Sequence, residues 1–372
     1  ASPPASFILT LSTNSPNRKI LPDMTDTTVT KKDERLGRVS FLTKILRRPE
    51  FGALLGAIVI YVIFAAFDTT GQFTSLQGTA GWTDFAAPIG IIAVFVALLM
   101  IAGEFDLSSG VMVGTSGLLL GLLVSEFQWG IWPAIAFVLV FAAGIGLMNG
   151  MLVIKTGLPS FIVTLATFFV LKGANLAITK GFTGTVRVSG VDKGEGFDAA
   201  REIFATTFKI GDANFQITVV WWIVITVLAT FLLTQTAFGN WIFASGGDAN
   251  AARNAGVPVN RTKVTLFVMT SISAALVGIM LVLRLRGMQA GQGVGQEFYY
   301  IIAAAVGGTL LTGGAGSAIG ASIGAAIMGL AAIGIPYAMW DQDWVSTFLG
   351  VILFSAVLVN SYISKKANGA RK

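Results

Sequence analysis

Two carboxylates, Glu104 and Asp106, stand two residues apart in Gly103-Glu104-Phe105-Asp106-Leu107-Ser108-Ser109-Gly110, with apolar runs pressed against both sides. Ionisable groups at membrane depth are costly, so they face a cavity, a partner or a transport path. With Ser108, Ser109, Thr164 and Thr167, the two carboxylates supply the polar groups of a candidate solute path, or a proton or sodium site. The same spacing fits a tight turn in which an Asp or Ser caps the following helix. On the residues alone both readings stand. Hydrolytic chemistry has little to work with, because the chain contains no Cys and no His. That removes thiol nucleophiles, imidazole bases, disulfides and zinc sites. A Ser–Lys pair is not evident either, since Lys155, Lys172 and Lys180 fall at expected helix ends with no matching serine. No catalytic or metal-binding residue is assigned. The chain has no Gly-Lys dipeptide, hence no phosphate-cradling loop of the Walker type.

Two further stretches stand out. In the first, Gly307, Gly308, Gly313, Gly314, Gly316, Gly320 and Gly324 surround Thr309 and Ser317, and Gly110, Gly114, Gly117 and Gly121 recur in an earlier apolar run. Small residues about four apart let helix backbones approach closely, so tight helix packing is the expected role. The second is GNWIFASGGDANAARNAGVPVNRTK, residues 239–263. Its run Asp248 to Ala255 opens on an acidic residue and is stopped by Gly256, the pattern of a short helix. Composition alone allows either a docking element or an ordinary loop.

The elements that position these residues are membrane helices. Of 372 residues, 54% are hydrophobic and only 12% charged, with a mean hydropathy of +0.76. Soluble domains carry about 25% charged residues. Apolar runs long enough to cross hydrocarbon occur at 51–67, 85–102, 107–124, 130–153, 158–178, 216–236, 264–283, 298–311, 315–335 and 344–363. The expectation is an all-α polytopic membrane protein with about ten transmembrane helices. The junction at 103–106 and the short eighth run are where broken helices are expected.

Ten spans place both termini on one side, which then holds seventeen of the 25 Lys and Arg. By the positive-inside rule that side is cytoplasmic. The net charge of +6 is distributed over helix ends and is no nucleic-acid signature. Residues 1–50 read as a disordered cytoplasmic segment, with Met24 as a start position and no cleavable signal peptide. Residues 51–363 form one transmembrane domain, with a cytoplasmic loop at 239–263 and an outer loop at 179–215, and residues 364–372 form a basic tail.

Four motifs in order resemble the permease subunit of the ribose-type ABC importers, a family that is also similar to the branched-chain amino-acid permeases. Gly103, Asp106, Leu107, Ser108 and Gly110 match its early motif. Pro159 to Thr167 with Lys172-Gly173, Gly246 to Gly256, and Ala303 to Ala325 are similar to the later ones. The resemblance covers residues 50 to 365 and departs from the family at Glu104, where a small residue is usual, and at Asp248, where Asn is common. It implies the ABC importer permease fold in a bacterial inner membrane and a role as pore subunit, not enzyme. It further implies a second permease copy, two ATPase chains that hold ATP and Mg²⁺ so that this chain binds no cofactor, and a periplasmic or lipid-anchored binding protein. Gly247, Asp248, Ala251, Ala252, Arg253 and Gly256 are then the residues that meet the ATPase. A monosaccharide or related polyol is the implied solute. Amino acids, nucleosides and an ion-coupled secondary carrier are the alternatives.

Overall fold

A chain this apolar must satisfy its backbone N–H and C=O groups internally, and helices do so segment by segment. The computed structural model describes residues 49–369. These fall in one unit running from Leu42 to Lys372. Residues 1–48, including Met24, and residues 370–372 lie outside the described residues, while Pro49 and Glu50 open the first helix.

In chain order the helices are α1 (Pro49–Phe67), α2 (Leu76–Ile101), α3 (Ser109–Ser125), α4 (Ile131–Thr156) and α5 (Ser160–Thr183). A strand-bearing segment follows: β1 (Arg187–Ser189), a 3-10 turn at Val191–Lys193, α6 (Phe197–Phe204), β2 (Thr207–Ile210) and β3 (Ala213–Gln216). Then come α7 (Ile217–Gln235), α8 (Ala237–Gly247), α9 (Ala249–Asn254), α10 (Val259–Leu285), β4 (Gly287–Gln289), α11 (Gln296–Val306), α12 (Ala318–Tyr337) and α13 (Trp344–Gly369). Each of the ten apolar runs falls on a helix. Among the described residues seven helices, α1, α2, α4, α5, α7, α10 and α12, are long and apolar enough to cross a membrane, while α3 and the apolar part of α13 are shorter. The expected eighth run stops after 11 residues. Gly307 and Gly308, the latter at φ +91°, turn the chain out of the helix there.

The apolar windows of α2, α10 and α12 are 78%, 72% and 72% buried, whereas those of α1, α4, α5 and α7 are 17–33% buried. The first three are therefore central and the others present apolar side chains outward, as contact with lipid requires. Pro88 sits inside α2, where its missing N–H removes one i→i−4 hydrogen bond. The expected second span began at 85, but α2 starts at Leu76, capped by Ser75, whose Oγ accepts from Gly78 N at 3.1 Å.

The expected loop at 179–215 is largely ordered secondary structure. β1 pairs antiparallel with β4 in the register Arg187↔Gln289, Val188↔Met288 and Ser189↔Gly287, and β2 forms a hairpin with β3. At the other end of the bundle, the expected loop at 239–263 contains α8, α9 and the first turn of α10. α13 runs on to Gly369, so it takes in the first residues of the expected basic tail.

The glycines divide by role. A Cβ on Gly307 would meet the Gly320 carbonyl, one on Gly320 the Gly307 carbonyl, and one on Gly324 the Ala303 carbonyl, so these three do allow α11 and α12 to touch. Gly308, Gly313, Gly314 and Gly316 instead carry positive φ and shape the connection between those helices. The stripe Gly110, Gly114, Gly117 and Gly121 on α3 meets α10 at one point, where Gly117 faces the Gly278 carbonyl, and the start of α11 at another, but no single helix along its length. It seats Glu297 and Gly293, then Gln292, then Met288 of β4 and finally Val188 of β1.

Candidate functional site

α2 ends at Ile101, and the chain turns back into α3 at Ser109 after a break of seven residues, 102–108. Gly103 at φ +83° makes the reversal, and Glu104 N donates to Leu99 O at 3.1 Å. Asp106 is completely buried in this break. Its Oδ1 accepts from Ser108 N at 2.8 Å and from Ser108 Oγ at 2.5 Å, while Oδ2 has no partner among the described residues. The turn is tight, as the spacing allowed, but Ser108 holds the cap position of α3 without a side-chain capping bond, so the expected Asp or Ser cap is not formed.

The turn is tied to two other helices by a chain of hydrogen bonds. Asn149 Nδ2 on α4 donates to Ser108 Oγ at 3.1 Å, and Thr167 Oγ1 on α5 donates to Asn149 Oδ1 at 2.6 Å. Thr164 Oγ1 accepts from Leu107 N at 3.1 Å, and Ser160 Oγ accepts from Phe105 N at 3.0 Å. Ser109 Oγ donates to the Asp106 carbonyl at 3.0 Å. Asp106, Ser108, Ser109, Thr164 and Thr167 therefore form one buried polar cluster.

Glu104 faces away from that cluster. Its Oε1 accepts from Lys263 Nζ, on the first turns of α10, at 2.5 Å, and each side chain is only 12% exposed. Two further segments meet the same break. Gly314 N donates to Ile101 O at 2.8 Å, and Gly246 at the end of α8 packs so closely on Ile101 that a Cβ there would strike its carbonyl oxygen. The end of α2, the end of α8 and the α11–α12 connection thus meet backbone to backbone.

α9 follows directly. Asp248 caps it, with Oδ1 accepting from Asn250 N at 2.9 Å and Ala251 N at 3.0 Å, and Gly256 at φ +84° ends it. Asp248, Ala251, Arg253 and Gly256 are exposed and Gly247 has open space where a Cβ would be, while Ala252 is buried beneath them. Arg253, exposed at the surface, donates through Nη1 to Asn250 Oδ1 at 3.0 Å and through Nη2 to Asn260 Oδ1 at 3.4 Å. The arrangement is a short, capped, solvent-facing helix clamped to the break between α2 and α3.

Residues 78–357 match the family described as branched-chain amino acid transport system, permease component. The chain belongs to this permease family. Similar proteins include the fructose import permease protein FrcC of Rhizobium meliloti, 28% identical over 88% of this chain and 86% of that protein. The xylose transport system permease protein XylH of Escherichia coli is 28% identical, covering 84% and 92%. The ribose import permease protein RbsC of Escherichia coli is 32% identical, covering 73% and 81%. No solved structure matches.

In this permease the structure gathers five of the six expected path residues and separates Glu104 from them. Three participants escaped the sequence reading: Asn149, Ser160 and Lys263. Asn149 left a usable signal, a lone amide within the apolar run Gly144 to Ile154, since polar groups at membrane depth need a partner. Ser160 follows Pro159 at the start of a helix, a position at which a serine carries no signal of a tertiary partner.

Proposed function

We infer that this chain is the membrane-spanning subunit of an ATP-driven, binding-protein-dependent importer of a monosaccharide or related polyol. Membership of the permease family carries the reading, together with relatives named for fructose, xylose and ribose. The geometry of α9 supports it: an exposed capped helix, one backbone contact away from a break in two central helices, is suited to transmit force from a docked ATPase. In this reading the chain lies in a bacterial inner membrane with ten spans and both termini cytoplasmic. Two copies form the pore, two ATPase chains hold ATP and Mg²⁺, and a periplasmic or lipid-anchored protein delivers the solute to the strand-bearing face.

ATP-driven closure of the ATPases would draw α9 along. Gly246 and the Lys263–Glu104 pair would pass that displacement to the end of α2, which opens or shuts the inner end of the bundle. An ion-coupled carrier using Glu104 and Asp106 fits less well, because Glu104 is already paired with Lys263.

The test is uptake of radiolabelled sugar by Arg253→Ala and Gly256→Val permeases in the assembled importer. Gly256→Val places a β-branched residue at φ +84°, a conformation that costs an L-residue about 1–2 kcal/mol, on a segment that few other contacts hold. Uptake should fall sharply with membrane expression unchanged. Wild-type uptake in both variants would overturn the coupling role of α9.

A further inference from the structure

A cavity of about 600 Å³ opens near the ends of α2 and α10 that lie opposite the buried cluster, and none of the cluster's residues lines it. Asp84 and Ile101 are separated by 17 residues of α2, so at 1.5 Å per residue the cavity lies about 25 Å along the helix from the α9 contact. It is walled by α2, α10, α11 and α12 and by the start of α13. Its size is within the range of about 300–1,000 Å³ typical of small-molecule sites.

The chemistry of the wall is specific. Arg284 and Asp84 are the charged side chains among its described residues, and they pair in a bidentate fork, with Nη1 to Oδ1 and Nη2 to Oδ2 both at 2.7 Å. The pair is internally neutral, yet it retains free lone pairs on the carboxylate and further N–H groups on the guanidinium. Around it stand three amides, Gln292, Gln296 and Gln342, and the half-buried ring of Tyr299. Gln296 Oε1 accepts from Tyr300 OH at 3.1 Å, which fixes its carbonyl and turns its NH₂ to other partners.

We propose that this cavity is the site at which the permease holds its solute, and that it selects neutral polyhydroxyl molecules over carboxylate-bearing ones. Amides and a neutral ion pair offer paired donors and acceptors of the kind that vicinal hydroxyls require, and an aromatic face suits the C–H face of a sugar ring. A carboxylate would find no uncompensated cation, because the one arginine is already matched. The proposal rests on the importer reading above and adds to it the place and basis of solute choice.

The chain has no cysteine, so a single introduced thiol is the only target in the permease for a thiol reagent. We would reconstitute the importer, permease with ATPase and binding protein, carrying Gln296→Cys or Gln342→Cys. Thr69→Cys, exposed on the α1–α2 connection at the same end of the bundle but outside the strand-bearing segment, serves as control. A bulky membrane-impermeant methanethiosulfonate is added from that end, and uptake of radiolabelled ribose, xylose and fructose is measured beside ATP hydrolysis stimulated by the loaded binding protein. The expected result is loss of uptake in both cavity variants after labelling, with stimulated hydrolysis retained, and no effect in the control. Unchanged uptake after labelling would overturn the proposal. So would failure of the cavity thiols to label while the control labels, or loss of stimulated hydrolysis together with uptake, which would make this face a docking surface. If the unmodified importer takes up none of the three sugars while its ATPase is stimulated, the functional reading itself fails, and the proposal with it.

Discussion

Adding one methyl group at Gly246 should abolish sugar uptake, while the same change at Gly144 should leave it intact. A Cβ on Gly246 would land on the Ile101 carbonyl oxygen and stand 2.8 Å from Gly314 N, the donor that this oxygen accepts. Neither obstacle is a flexible side chain, so α8 must withdraw from α2 or the hydrogen bond must break. Overpacking of this kind costs about 1–3 kcal/mol. The functional loss should exceed the loss of stability, because the displaced contact is the one by which the end of α8, just ahead of α9, meets the end of α2. Gly144 is exposed on α4, and nothing lies within 4 Å of the place its methyl would take. Parallel measurement of uptake, stimulated ATP hydrolysis and thermal stability in Gly246→Ala and Gly144→Ala decides the matter. Equal behaviour of the two variants would show that close packing at Gly246 has no part in coupling.

The second large effect concerns Glu104 and Lys263. Each side chain is 12% exposed. Lys263→Met leaves an uncompensated carboxylate in a region of low dielectric, and Glu104→Gln leaves an unmatched ammonium. Breaking a buried pair by removing one partner costs about 3–5 kcal/mol, whereas replacing both with apolar residues is often neutral. Either single variant should therefore unfold at a clearly lower temperature in detergent, and Glu104→Leu with Lys263→Met should recover most of the loss. Uptake separates stability from function. If the pair transmits displacement from α10 to the end of α2, the double apolar variant will be stable yet transport slowly. Full uptake by that variant would limit the pair to a structural role.

Much of this was legible in the sequence. Apolar length and density fixed the positions of the helices, and Asp248 with Gly256 marked the ends of α9 almost to the residue, because caps act locally. The break at 103–108 was visible for the same reason: two carboxylates without a polar loop around them have few acceptable surroundings. Partner choice was not legible. Lys263 lies 159 residues from Glu104, and only the packing of α10 beside α2 brings them together. The glycines misled in part because one residue type answers two needs. Gly307, Gly320 and Gly324 admit a neighbouring helix, while Gly313 and Gly314 allow the chain to turn where Gly103 and Gly246 crowd it. The solute cavity was invisible because its wall is assembled from distant segments, its ion pair alone joining residues 200 apart.

The pairing of β1 with β4 bears on how the chain is made. The two strands are about a hundred residues apart, and α7 and α10 are synthesised between them. Val188 is completely buried in the finished fold, against the groove that Gly121 leaves on α3. During vectorial synthesis β1 leaves the ribosome long before its partner exists, and long-range pairing is slow because the intervening loop must close first. The first half of the bundle must therefore wait with that groove covered on one side only. Completion of the strand-bearing face is consequently a late event in biogenesis, after α10 has crossed the membrane. A chain stalled ahead of β4 would present an unfinished sheet edge for quality control to recognise.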